Sequence, residues 1–193
     1  MAILILAVLA LLGSLATMRP PQVFEQGRSN TRTATASSSG NDEPAPAGKA
    51  ASAPDAPDFA FPPNIPGLPS RLSKLRGKVV VLDFWAPWCG PCKLAMPELD
   101  RVYRKLKSRG LVVIGIDADD PPNWTQMEAT QRSLNISYLM LAISEVPGAD
   151  SAYEHSGLPA MYIIDRAGKV QYSIGGFDKS FDMESFVEAL LQK

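Results

Sequence analysis

The chain has 193 residues, 46% of them hydrophobic and 20% charged, and a net charge of −1. These proportions are those of a globular protein, and the near-zero balance gives no electrostatic reason to expect nucleic acid as a partner. The length provides for one domain with extra segments attached.

The first extra segment is residues 1–18, uncharged from Ala2 to Met18 and rich in Leu, Ile and Ala. As a helix the run would span about 25 Å, slightly less than a bilayer core of about 30 Å. Two alternatives stand: a signal peptide, with Ser14 and Ala16 as the small residues of a cleavage site, and an uncleaved N-terminal membrane anchor. Basic residues follow the run (Arg19, Arg28, Arg32) rather than precede it, which by charge alone disfavours export. Export is still the expectation, because residues 19–58 read as a tether. This stretch is rich in Pro, Ala and Ser and almost free of large apolar residues after Phe24. Such a composition cannot bury enough surface to order itself, and a flexible linker of this length reaches roughly 35 Å.

Residues 59–193 have globular composition and are long enough for one core. Lys78–Trp85 is a β-branched apolar run, predicted as a strand buried on both faces. A helix follows from Gly90 or Pro91 to Arg109, with Met96, Leu99, Val102, Tyr103 and Leu106 at helical spacing and Gly110 as its stop. Leu111–Ile116 is a second buried strand, so the three elements form a βαβ unit with parallel strands. Asn123 and Gln126 predict the start of a helix running to Leu134. Tyr138–Ile143 reads as a short strand and Gly148–His155 as a short helix. Met161–Asp165 and Lys169–Ile174 flank Arg166-Ala167-Gly168 as an antiparallel hairpin, and Asp182 opens a terminal helix. The expected fold class is α/β, a central mixed β-sheet flanked by helices on both faces.

The only cysteines are Cys89 and Cys92, in Trp88-Cys89-Gly90-Pro91-Cys92-Lys93 at the junction of the first strand and helix. Two thiols at this spacing suit reversible dithiol–disulfide chemistry. Zinc needs four ligands, and beyond the pair the chain offers only His155, read as a surface residue. No metal and no cofactor is expected. Asp117-Ala118-Asp119-Asp120 reads as a solvated acidic loop.

The segment Val80-Val81-Leu82-Asp83-Phe84-Trp85-Ala86-Pro87-Trp88-Cys89-Gly90-Pro91-Cys92-Lys93 resembles the active-site segment of thioredoxin, and Gly157-Leu158-Pro159 resembles its cis-proline loop. Phe59-Ala60-Phe61-Pro62, Leu72–Lys78 and Met96-Pro97-Glu98-Leu99 resemble the TlpA/ResA-like branch of the thioredoxin superfamily. The resemblance implies a thioredoxin-like fold over residues 59–193. It also implies an exported or membrane-tethered thiol–disulfide oxidoreductase of the bacterial periplasm or cell envelope. Its partners would be protein disulfides, apocytochrome c in cytochrome c maturation among them, and a membrane thiol electron donor.

Carried onto this chain, Cys89 is the expected nucleophile, since the positive end of a helix favours a thiolate. Cys92 resolves the mixed disulfide and leaves a Cys89–Cys92 bridge. Asp83, a costly carboxyl in an apolar strand, is expected as a buried acid taking the proton of Cys92. Pro159 is the expected cis-proline, and Leu158 would offer its backbone to a substrate strand. Trp88, Gly90 and Pro91 complete the substrate-binding surface. Gly90-Pro91 is the dipeptide of thioredoxin, whose potential of about −270 mV lies well below the roughly −120 mV of the oxidant DsbA, so the expected direction is reduction. Departures from the pattern are Ala95 where an acidic residue is common, Ala160 after the proline, and no lysine within Val112–Ile116. The alternatives are a disulfide oxidase or isomerase and a non-catalytic peptide-binding or chaperone module. A peroxidase of the peroxiredoxin kind would place Thr and Arg around its cysteine, where this chain has Trp and Pro.

Overall fold

The computed structural model describes residues 53–154 and 156–193. The apolar segment 1–18, most of the linker and His155 lie outside the described residues. Among the described residues no helix is long and apolar enough to cross a membrane.

Five strands form one sheet in the order β3-β2-β1-β4-β5. The central strand β1 (Val79–Trp85) is buried along its whole length, as its near-continuous apolar sequence requires. It pairs in parallel with β2 (Leu111–Asp117), and β2 pairs in parallel with β3 (Leu139–Ala142). On its other side β1 pairs antiparallel with β4 (Ala160–Ile164), which continues into the hairpin partner β5 (Val170–Gly175). The helices are α1 (Gly90–Leu106), α2 (Trp124–Ser133), the short α3 (Ala149–Ala152) and α4 (Met183–Leu191).

The caps follow the sequence. Asn123 Oδ1 accepts the Gln126 N–H at the start of α2, and Asp182 Oδ1 accepts the Ser185 N–H at the start of α4. After α1, a single 3-10 turn (Lys107–Arg109) ends at Gly110, whose φ of 107° is open to glycine and costly for other residues.

Alternation along β1 divides the core. Val79, Val81 and Trp85 face α1, α2 and α4, together with Met96, Leu99, Met127, Met161 and Val187. Val80, Leu82 and Phe84 face a layer made of Phe59, Phe61, a 3-10 turn (Leu72–Leu75) and α3 with its flanks Val146 and Tyr153. Each such large apolar side chain, taken from water, contributes roughly 1.5–3 kcal/mol.

Residues before the expected boundary at residue 59 already make contacts with the folded body. The Val170 N–H donates to the Pro54 carbonyl, the Ala56 N–H to that of Gly168, and Asp55 bridges to Lys169. Asp58 accepts from the Arg71 side chain and from the backbone and hydroxyl of Ser73. The end of the stretch expected as linker is therefore bound to the β4–β5 turn and the turn at Leu72. Composition conceals the pairing with the β4–β5 turn, because those bonds are made by backbone groups.

Candidate active site

Cys89 and Cys92 form a disulfide where β1 gives way to α1, with Cα atoms 5.3 Å apart. The Cys89 N–H donates to the Ala86 carbonyl at 3.0 Å, which closes the turn. Cys89 is the N-cap residue of α1, and its Sγ accepts the Cys92 N–H at 3.1 Å. Pro91 occupies the first helical turn, where the missing N–H removes no helical bond. The first-turn N–H groups of a helix lack internal acceptors, so a reduced Cys89 sulfur would have a donor and a positive helix end beside it. Cys89 is 3% exposed and Cys92 1%. Burial thus does little to separate the two sulfurs; their position relative to the helix end does.

Trp88, Gly90 and Pro91 surround the buried pair as an exposed shoulder. Trp88 is 68% exposed, and its Nε1–H donates to Asp119 Oδ1 at 2.8 Å. The Leu158–Pro159 bond is cis, and the Pro159 carbonyl accepts the Gly176 N–H at 2.7 Å. Pro159 lines a groove of about 370 Å³ together with Leu94, Ala95 and Glu98 of α1 and with Phe177 and Phe181 beyond β5. Phe181 stacks on Tyr172 with ring centroids 4.1 Å apart.

Asp83 lies on the α1 side of the sheet, paired in register with Gly115 of β2 and Met161 of β4. It is 2% exposed, and burial pushes its carboxyl up to about 7, against a hydrogen bond from the Tyr138 hydroxyl at 3.2 Å that favours the ionised form. Two residues along β2, Asp117 is also buried, paired with Trp85. Its Oδ1 accepts the Asp119 N–H at 3.2 Å, while Oδ2 has no hydrogen-bond partner; neither has the Trp85 indole N–H. Burial raises the Asp117 carboxyl to about 6.

The acidic stretch is thus only in part the solvated loop expected: Asp120 is exposed. Asp117 ends a core strand, and Asp119 holds Trp88. Sequence reasoning also missed Tyr138, Gly115 and the far wall of the groove. For that wall a signal existed, in the two aromatics of Phe177-Asp178-Lys179-Ser180-Phe181. Among the described residues no cluster of His, Cys, Asp and Glu could hold a metal ion.

A mixed sheet with a Cys-x-x-Cys bridge at the first turn of the helix after its central strand defines a thioredoxin-like thiol–disulfide oxidoreductase. Comparison with known proteins agrees. Residues 53–173 match the profile of the AhpC/TSA family, and the chain belongs to that family. It is 30% identical over 136 residues to a thiol-disulfide oxidoreductase ResA of Bacillus cereus, covering 70% of this chain and 76% of the relative. Identity to ResA of Geobacillus kaustophilus is 30% over 135 residues, covering 70% and 75% of the two chains. The crystal structure of a thiol:disulfide interchange protein of the thioredoxin family from Chlorobium tepidum TLS superposes with a TM-score of 0.57 at 25% identity. That match covers 73% of this chain and 98% of the other.

Proposed function

We propose that this oxidoreductase works as a protein-disulfide reductase outside the cytoplasm, with Cys89 as nucleophile, Cys92 as resolving thiol and Asp83 as the acid that holds the proton. In the reduced enzyme the Cys89 thiolate attacks one sulfur of a substrate disulfide. A mixed disulfide forms, and the other substrate sulfur leaves as a thiolate and takes a proton from water. The Cys92 thiol then gives its proton to the Asp83 carboxylate, and its sulfur attacks Cys89. The bond from Cys89 to the substrate breaks, the second substrate sulfur leaves and is protonated, and the Cys89–Cys92 bridge remains. Two electrons pass from the dithiol to the substrate, and a thiol donor restores them.

The observation that carries this reading is the cap geometry: the sulfur of Cys89, at the N-cap, already accepts the N–H of Cys92 in the first turn of the helix. The groove beside Pro159, walled by Leu94 and Phe177, suits an extended apolar stretch of substrate. Export rests on the apolar segment 1–18, and apocytochrome c as substrate rests on the TlpA/ResA resemblance. The test is trapping. Cys92→Ser should hold its substrates as mixed disulfides on Cys89, recoverable with dithiothreitol and identified by mass spectrometry. Recovery of no disulfide-linked protein from the cell envelope would count against the reading.

A further inference from the structure

Asp83 would be an uncompensated carboxylate in an apolar layer but for one neighbour, and that neighbour comes from two strands away. Its register partner on β2 is Gly115, and the partner of Gly115 on β3 is Met140. With no side chain at Gly115, the sheet row beside Asp83 is open. Tyr138 and Met140 fill it: a Cβ built on Gly115 would lie 3.2 Å from Tyr138 Cε2 and 2.4 Å from Met140 Sδ. Tyr138 precedes β3, is 1% exposed, and crosses β2 at this gap to set its hydroxyl 3.2 Å from Asp83 Oδ2.

The tyrosine is held from several sides. Its carbonyl accepts from Gln131 Nε2, and the ring of Tyr103 meets it edge-on at 6.2 Å. The preceding residue, Ser137, donates both its N–H and its hydroxyl to Asp100 of α1, which also pairs with Arg104. The helix that carries the cysteines thus fixes the segment that carries the phenol.

We propose that Tyr138, passing through the space left by Gly115, is a positioning residue for the dithiol reaction: its hydroxyl orients the Asp83 carboxylate and sets the pH at which that group can take a proton from Cys92. The inference rests on the role given to Asp83 above. A phenol O–H donated to a carboxylate favours the ionised form, so the tyrosine keeps Asp83 a usable proton acceptor where burial alone would leave it protonated. A phenylalanine fills the same space and supplies no donor. Besides Tyr138 itself, the buried ionisable groups on the elements packed around Asp83 are Cys89, Cys92 and Asp100 on α1 and Asp117 on β2. Met161 of β4, Met127 and Thr130 of α2, and Val187, Leu190 and Leu191 of α4 add none.

The test is carboxyl-carbon NMR of the reduced full-length chain labelled at aspartate, with the Asp83 resonance assigned by its absence in Asp83→Asn. In Tyr138→Phe the Asp83 midpoint should rise by about one pH unit or more, the size of a lost charge-assisted hydrogen bond. The acid limb of the rate of mixed-disulfide resolution should move up with it. Gly115→Ala, which keeps the hydroxyl but crowds the ring, should shift the same midpoint in the same direction. In an Asp83→Asn background, Tyr138→Phe should leave the pH profile of resolution where it was. An Asp83 midpoint in Tyr138→Phe equal to that of the wild type overturns the inference, as does a resolution rate whose acid limb stays in place while the midpoint moves. The role of Asp83 fails on a different result, a wild-type pH profile in Asp83→Asn itself.

Discussion

The two faces of the sheet are built from the same strands and do different work. On the face toward Phe59, Leu72 and Tyr153, β1 contributes Val80, Leu82 and Phe84, and the layer it meets is aliphatic and aromatic. On the face toward α1, the same strand contributes Val79, Val81, Asp83 and Trp85, and here lie both cysteines, the buried carboxyls of Asp83, Asp100 and Asp117 and an indole N–H without a partner. The difference is one of position within a period of two. One face supplies stability that the other can draw on to hold polar groups out of water, each at a cost unless bonded.

Substitutions on the two faces should therefore fail in different assays. The largest effect belongs to Cys89→Ser, which should lower insulin-disulfide reduction to background while leaving the unfolding midpoint of the reduced chain nearly unchanged; retained turnover would remove Cys89 from the reaction. On the opposite face, Phe84→Ala should cost about 3–5 kcal/mol of stability in guanidinium titration, with activity per folded molecule largely kept. A loss of activity larger than the loss of folded protein would show that the two faces are not separable.

Asp83→Asn sharpens the contrast, because it should raise stability while lowering activity. In the folded chain the Asp83 carboxyl is raised from 3.8 to about 7. The folded state therefore binds the proton more tightly than the unfolded one, and stability is full below about pH 4 and lost as pH rises through about 7. Removing the ionisable group should abolish that fall, so that Asp83→Asn gains stability relative to wild type as pH rises from 4 to 8. Asp117, raised to about 6, adds a slope of the same sign that should persist in the variant. Unfolding free energies of the oxidised chain between pH 4 and pH 8 check both. The smallest effect is expected from Trp88→Phe. Its bond to Asp119 is solvent-exposed, so stability should change by no more than about 1 kcal/mol, and the change should appear as a higher KM for insulin.

The elements were legible because each is written locally. Val79–Trp85 is β-branched and apolar, Asn123 and Asp182 cap the helices they introduce, and Gly110 stops the helical stretch before it. Cys89 and Cys92 were legible from spacing, and Asp83 from being acidic in an apolar run. Tyr138 was not, since it is separated from Asp83 by 55 positions and they meet only through the register of three strands. Its signal would have been a glycine in the middle of a buried strand, which often marks a close approach by something else. Asp117 was misjudged because three aspartates within four residues resemble a turn, whereas β2 extends one residue further than its aliphatic run.

The attachment of Pro54–Ala56 to the Gly168–Val170 turn fixes where the folded body can be held. Since β4 runs antiparallel to β1, its Ile164 end lies beside Val80, and the turn after it is at the opposite pole of the sheet from Trp85 and the cysteines. The seven residues of β1 separate the two poles, a distance of roughly 20 Å at about 3.3 Å per residue. The described residues therefore begin at the pole of the sheet opposite the reactive sulfurs.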